Sequence, residues 1–296
     1  MRIVSVRSIK LRQALFISTV GMCLGFAYVS SRPSEDGFKV VLAFNREERL
    51  DRPTARVAWW EDKQILGGRD LVTGGTWLAM DESGRIAFVT NIQDPNCAKK
   101  SSGVARLRGA LAVEYLTQDL EAKEYVHHLE KEVKKEANMK SFNLCILEPT
   151  QDEDGIYKSR LLSFDGKRTQ KRSGDEFIGI SNNPFQNKPF AKTNAGMAAF
   201  KRIVRRSSTA TADHLLDQLA ALMSDERQIN PSCKTLRRLF PTEEEARAFS
   251  SIFVKAGCLG TKSQAFVLVD AKGRVTFEER VALCSGEPPR RFRFST

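Results

Sequence analysis

Histidine is scarce in this chain of 296 residues: only His127, His128 and His214 occur. A Ser-His-Asp or Cys-His arrangement needs an imidazole beside its nucleophile. His127 and His128 fall in a highly charged helical stretch and His214 lies near a helix start, so neither place suits a triad. The six cysteines (Cys23, Cys97, Cys145, Cys233, Cys258 and Cys284) are irregularly spaced, and no C-x-x-C pair exists. That pattern suits reduced thiols rather than a disulfide framework or a zinc finger. Walker A and G-x-G-x-x-G loops are also missing, and the glycines of residues 67–75 fit neither spacing. No run reaches the roughly 18 to 20 apolar residues that cross a bilayer. Residues 14–29 come nearest and are interrupted by Ser18, Thr19 and small side chains, so no transmembrane segment is expected.

Positive charge is in surplus. The net charge is +11, of which Arg2, Arg7, Lys10 and Arg12 supply four, so residues 23–296 carry +7. Such a surplus points to an anionic partner. RNA-binding aromatic signatures are lacking, so nucleic acid is not expected and a small anionic metabolite is. Residues 1–22 are basic and acid-free, and they read as a leader, as a mitochondrial presequence or as a signal-like segment. Alternatively, Met22 is the functional start and the leader is rarely translated.

Apolar runs at 23–31 and 38–44 read as strands, followed by 59–66, 76–80 and 85–91, with Glu82-Ser83-Gly84 as a hairpin turn. Leu107, Leu111 and Tyr115, then Val126, Leu129 and Val133, mark two helices. Strands return at 142–147, 160–164 and 177–181. Helices carrying Phe200 and Leu219 follow, and Thr242-Glu243-Glu244-Glu245 reads as a capping box. Residues 265–269 and 274–279 close as a hairpin. Strands, helices, strands, helices, strands is not the alternation of a parallel α/β fold. It predicts an α+β chain in which two antiparallel sheets pack together with helices outside, as one domain over residues 23–296. Asn45-Arg46 is expected at the end of the second strand.

With histidine excluded, a nucleophile needs another base. A cysteine that begins a chain has one in its own α-amine, whose ordinary pKa of about 7.7 to 8.0 lies close to operating pH. Cys23 directly follows Met22, and removal of Met from a Met22 start would expose it. The alternative is a small buried hydrophobe in the first strand. Asn45-Arg46-Glu47-Glu48 places a guanidinium fork among carboxylates, a grouping suited to carboxylate or phosphate ligands.

Cys23, Asn45-Arg46-Glu47-Glu48, Arg52-Pro53-Thr54, Trp59-Trp60, Ile65-Leu66-Gly67-Gly68-Arg69-Asp70, Gly74-Gly75-Thr76-Trp77 and Thr90-Asn91 occur in this order. The series resembles the NRDE family, also called the transport and Golgi organisation 2 family. Phe142-Asn143-Leu144, Ser181-Asn182 and Gly260-Thr261 continue the likeness, which covers about residues 22–285. The resemblance implies an N-terminal-nucleophile-hydrolase-like αββα sandwich with Cys23 as the family's second residue. It makes Arg46, Asn91 and Asn182 candidate catalytic partners of Cys23, since Ser181-Asn182-Asn183-Pro184 is similar to an oxyanion-stabilising segment of bile-salt hydrolases. Asn45, Arg46, Glu47, Glu48, Arg69 and Trp77 become candidate ligand-binding residues.

Two departures stand out. Glu47 occupies the place of the family's Asp, and 22 residues precede Cys23. The resemblance implies handling of haem or a coenzyme A derivative in the cytoplasm or mitochondria, with Golgi association. An amidohydrolase using Cys23 is the alternative, and a Golgi adaptor without a small-molecule site is the third reading. No metal site is expected, and Cys23, His127 and His128 are the candidate haem ligands.

Overall fold

The computed structural model describes residues 22–92, 107–135, 139–150, 155–184, 189–207, 210–230, 234–240, 242–282 and 286–296. The leader up to residue 21 lies outside the described residues, as do Cys97, Cys233 and Cys284.

Two antiparallel sheets lie face to face. The first runs β10 (Phe177–Ile180), β1 (Leu24–Val29), β2 (Phe38–Arg49), β12 (Leu259–Asp270), β13 (Arg274–Val281) and β14 (Arg290–Ser295), with β11 (Lys255–Ala256) paired to the start of β12. The second is a meander in chain order: β3 (Thr54–Trp60), β4 (Ile65–Asp70), β5 (Leu78–Asp81), β6 (Ile86–Asn91), β7 (Phe142–Pro149), β8 (Tyr157–Phe164) and β9 (Thr169–Ser173). Between the sheets, Leu42, Phe44, Val267 and Phe277 meet Leu66, Leu78, Phe88 and Leu161.

Helices α1 (Arg108–Leu116) and α2 (Ala122–Lys135) cover the outer face of the second sheet through Leu111, Tyr115 and Leu129. Helices α3 (Ala191–Arg206) and α4 (Ala212–Met223) cover the first through Phe200, Leu215 and Leu219. Covered on both faces, β1 and the start of β2 read as continuous apolar runs and not as alternation. The result is the expected αββα order. Helix α5 (Lys234–Leu239) and helix α6 (Glu243–Ala248) complete the described set, and α6 opens on the expected capping box: Thr242 accepts from the Glu245 amide and Glu245 from the Thr242 amide. No helix among the described residues is long and apolar enough to cross a membrane.

Two expectations are corrected. Strand β2 does not end at Asn45 but continues to Arg49, because β12 supplies ladder partners as far as the pair Leu259–Arg49. Residues 59–66 are not one strand: β3 ends at Trp60, the chain turns through Gln64 at φ 52°, and Gly67-Gly68 lies inside β4 instead of ending a strand. Strands β9 and β14, both rich in charged side chains, complete the far edges.

Candidate functional site

Because β2 runs through the Asn45–Glu48 motif, its residues divide by the two-residue period of a strand. Arg46 points between the sheets and Asn45 and Glu47 point to the helical side. Arg46 is 3% exposed. It donates from Nη2 to Asp70 Oδ2 at 2.8 Å and from Nη1 to Thr54 Oγ1 at 2.7 Å, and its guanidinium lies 3.9 Å from the centre of the Trp77 ring. Asp70, at the end of β4, also accepts from Arg52 Nε at 2.6 Å and from the Val72 and Thr73 amides. Burial alone would raise the Asp70 carboxyl, but the Arg52 hydrogen bond and the Arg52 and Arg46 charges hold it below the usual carboxylate range. Burial lowers the Arg46 pKa against the opposing pull of Glu48 and Asp70.

The glycines around this network give it room. A Cβ on Gly68 would stand 2.3 Å from the Trp77 ring, and one on Gly75 would stand 2.6 Å from the Gly109 backbone at the start of α1. The two sheets and α1 thus enclose a cleft of about 320 Å3 bordered by Cys23, Arg46, Glu48, Asp70, Trp77 and Asn91, with Arg52, Arg108 and Lys140 around its mouth.

Cys23 is 8% exposed. Burial pushes its thiol up to about 12, with the Glu47 charge adding to the rise and a hydrogen bond from the Glu47 backbone opposing it. Met22 before it is fully buried, in a cluster with Phe190, Phe249 and Leu259. Asn182 donates to the Asn91 carbonyl at 2.6 Å, which ties it to the cleft wall from behind. Asn143 on β7 fixes that junction through Thr90 Oγ1 and the Ser181 and Asn183 carbonyls.

Not every candidate gathers here. Asn45 turns away and donates to the Met223 and Ile252 carbonyls, holding the end of α4. Arg69 also leaves the cleft, because Asp70 beside it faces in: its guanidinium lies 4.4 Å from the Trp60 ring centre and pairs with Asp62 at 3.3 Å. Glu47 borders the cleft, but its Oε1 accepts from Thr261 on β12 at 3.1 Å. Burial raises the Glu47 carboxyl to about 8, and the Lys192 charge opposes that rise. His127 borders a separate groove beside Arg160 and Lys171. Among the described residues no group of three or more His, Cys, Asp or Glu could hold a metal ion.

Sequence reasoning did not single out Arg52, Arg108, Lys140 or Lys192. Arg52 and Asp70 stood inside the quoted motifs. Lys192, 1% exposed on α3, carried no signal.

The Transport and Golgi organisation 2 family model matches residues 22–283. The chain is 30% identical over 287 residues to the Transport and Golgi organization protein 2 homolog of Bos taurus, covering 93% of this chain and 98% of that protein. It is 28% identical over 273 residues to the Transport and Golgi organization 2 homolog of Mus musculus, covering 88% and 94%. Among solved structures it is similar to a conjugated bile acid hydrolase from Clostridium perfringens, at 10% identity over 92% of each chain and a TM-score of 0.48. With the match running from Met22 through nearly the whole of the two sheets, the chain belongs to the Transport and Golgi organisation 2 family.

Proposed function

We propose that the protein handles an anionic small-molecule metabolite in the cleft beside Cys23, with haem and acyl-coenzyme A as the two ligands to test. The observation that carries this is the cleft's charge: Arg46, Arg49, Arg52, Arg108 and Lys140 border it against Glu47, Glu48 and Asp70. Its volume lies at the low end of the roughly 300 to 1,000 Å3 of small-molecule sites, so a large amphiphile is held by its charged end. Leu71, Val72 and Leu107 are the exposed large hydrophobics among the described residues; Leu107 itself borders the cleft, Leu71 and Val72 lie between the cleft-lining Asp70 and Thr73, and together they offer an apolar lip for the remainder.

Haem fits this site by its carboxylates and not by axial ligation. Cys23, the one candidate ligand in the cleft, is held as a thiol, and His127 borders another groove. The relatives' name, which speaks of transport and Golgi organisation, supports a trafficking role with Golgi contact; placing it in the cytoplasm or mitochondria is part of the same proposal.

Lys140 is the residue to remove, because no carboxylate pairs with it among the described residues. Lys140→Ala in the full chain should weaken binding roughly tenfold to a hundredfold, the loss of a charge-assisted hydrogen bond of about 1.5 to 3 kcal/mol. Titrations with haem and a long-chain acyl-coenzyme A, followed by calorimetry, measure it. Absence of binding for both ligands, or an unchanged Kd in the variant, overturns the reading.

The second reading, hydrolysis of an amide or thioester by Cys23, is favoured by Cys23 and Asn91 bordering one cleft with Asn182 behind. It applies to a chain that opens at Cys23. There the α-amine takes the thiol proton as sulfur bonds to the acyl carbon, and gives it to the leaving nitrogen or sulfur as that bond breaks. Water then cleaves the thioester, and its proton returns to the Cys23 sulfur. Cys23→Ser should abolish turnover and leave binding nearly intact.

A further inference from the structure

Lys192 and Glu47 are two buried ionisable residues whose unpartnered side-chain atoms the cleft does not explain. Each is 1% exposed. Lys192 Nζ has no hydrogen-bond partner among the described residues, and neither has Glu47 Oε2. Burying a charge without a partner is costly, so such pairs demand an explanation.

Both stand against the same short piece of backbone. Lys192 is the second residue of α3, next but one to Phe190, whose ring packs in the cluster that buries Met22. Glu47 lies on β2, and carrying the Leu24–Asn45 register back by two residues sets Met22 opposite Glu47. Cys23 and Glu47 each pull the Lys192 pKa upward against the lowering by burial, so Lys192 lies within electrostatic reach of both.

The demands of the two unpartnered atoms are opposite. An ammonium only donates, and a carboxylate oxygen only accepts. The Cys23 peptide nitrogen can serve Glu47 but has no lone pair to offer Lys192. A neutral primary amine at that nitrogen serves both.

We propose that a chain opening at Cys23 seats its α-amine between Lys192 Nζ and Glu47 Oε2, with Lys192 as the positioning residue that keeps the amine unprotonated. This rests on the nucleophile reading above. Lys192 donates to the amine's lone pair, and its charge disfavours a second ammonium beside it. The amine's N–H donates to Glu47. The lone pair then exchanges the Lys192 hydrogen bond for the thiol proton when the sulfur attacks.

Cells carrying the full-length gene supply the protein for the test, and N-terminal sequencing gives its first residue. Formaldehyde condenses with a 1,2-aminothiol to a thiazolidine and water, and the reaction needs the free amine. Its pH midpoint at Cys23, followed by mass spectrometry, therefore reads the amine directly, without any enzymatic substrate. The midpoint should lie below the ordinary value of about 7.7 to 8.0. In Lys192→Met it should rise by about one pH unit, a tenfold gain in proton affinity. In Glu47→Gln it should fall, which decides the matter should the lysine variant not fold. A first residue of Cys23 with unshifted midpoints in both variants overturns the role of Lys192 and leaves the nucleophile reading standing. Any other first residue overturns both.

Discussion

Arg46→Ala separates a ligand fork from a structural tie. Arg46 is 3% exposed, and its terminal nitrogens are committed to Asp70 and Thr54 with Trp77 stacked beneath. Breaking a buried pair by removing one partner costs about 3 to 5 kcal/mol. Asp70 keeps Arg52 at 2.6 Å and the Val72 and Thr73 amides, so its charge is not stranded. The lower end, about 3 kcal/mol, is therefore expected. An unfolding entropy of about 2.1 cal/mol/K per residue converts this to a fall in Tm of about 5 °C for a chain of this length. Urea unfolding should show a lower midpoint with an unchanged slope. Asp70 adds a pH signature. Its folded pKa is depressed, so its contribution is complete above the unfolded value of about 3.9 and is lost as pH falls through the folded value. The variant should lose less stability than the natural protein in that acid window. A stability loss under about 1 kcal/mol would refute the tie, which predicts more, and return Arg46 to the ligand.

Three further outcomes are expected. Gly68→Ala places a Cβ 2.3 Å from the Trp77 ring, so it should displace Trp77 from Arg46 and change the tryptophan fluorescence along with a lower Tm; an unaltered spectrum would contradict the packing. In the full chain, iodoacetamide at pH 8 should label exposed Cys258 readily. Cys23 should react about a thousandfold more slowly than a thiol of ordinary pKa, since its thiol is pushed from 9.0 to about 12 and each unit is tenfold; comparable labelling of the two sites by peptide mapping would show that Cys23 is not so buried. Glu47→Gln should alter the pH dependence of stability. A carboxyl raised from 4.5 to about 8 makes the fold bind an extra proton between those values, so the natural protein loses stability from Glu47 as pH rises through that window and the variant does not. The gap between them, read by urea unfolding at pH 5 and pH 8, should move in the variant's favour at the higher pH, and an opposite movement would be inconsistent with a buried carboxyl.

How much of this was readable from residues alone depended on whether the relevant contact lay within one element. The apolar runs of β1 and β2, the helical spacing of Leu111 and Tyr115, and the Thr242 capping box are local, and all three appear in the fold, although Leu107 stands just before the helix with extended backbone and is exposed. Strand β14 had the right period, with Phe292 and Phe294 packed on the core between arginines, but its charge concealed it. Gly67-Gly68 read as punctuation because a glycine pair usually marks a turn. Its actual reason, the nearness of Ala79 and Trp77, belongs to the neighbouring strand and the turn before it. The same limit governs the site. Period two was enough to separate Arg46 from Asn45 and Glu47 once β2 was known to pass through the motif, but its length was set by β12, far along the chain. Arg46 and Arg52 meet one carboxylate at the end of β4, and Lys192 approaches Glu47 from a helix on the other side of the sheet. A buried lysine and a solvated one are the same letter, and the distinction belongs to the burial.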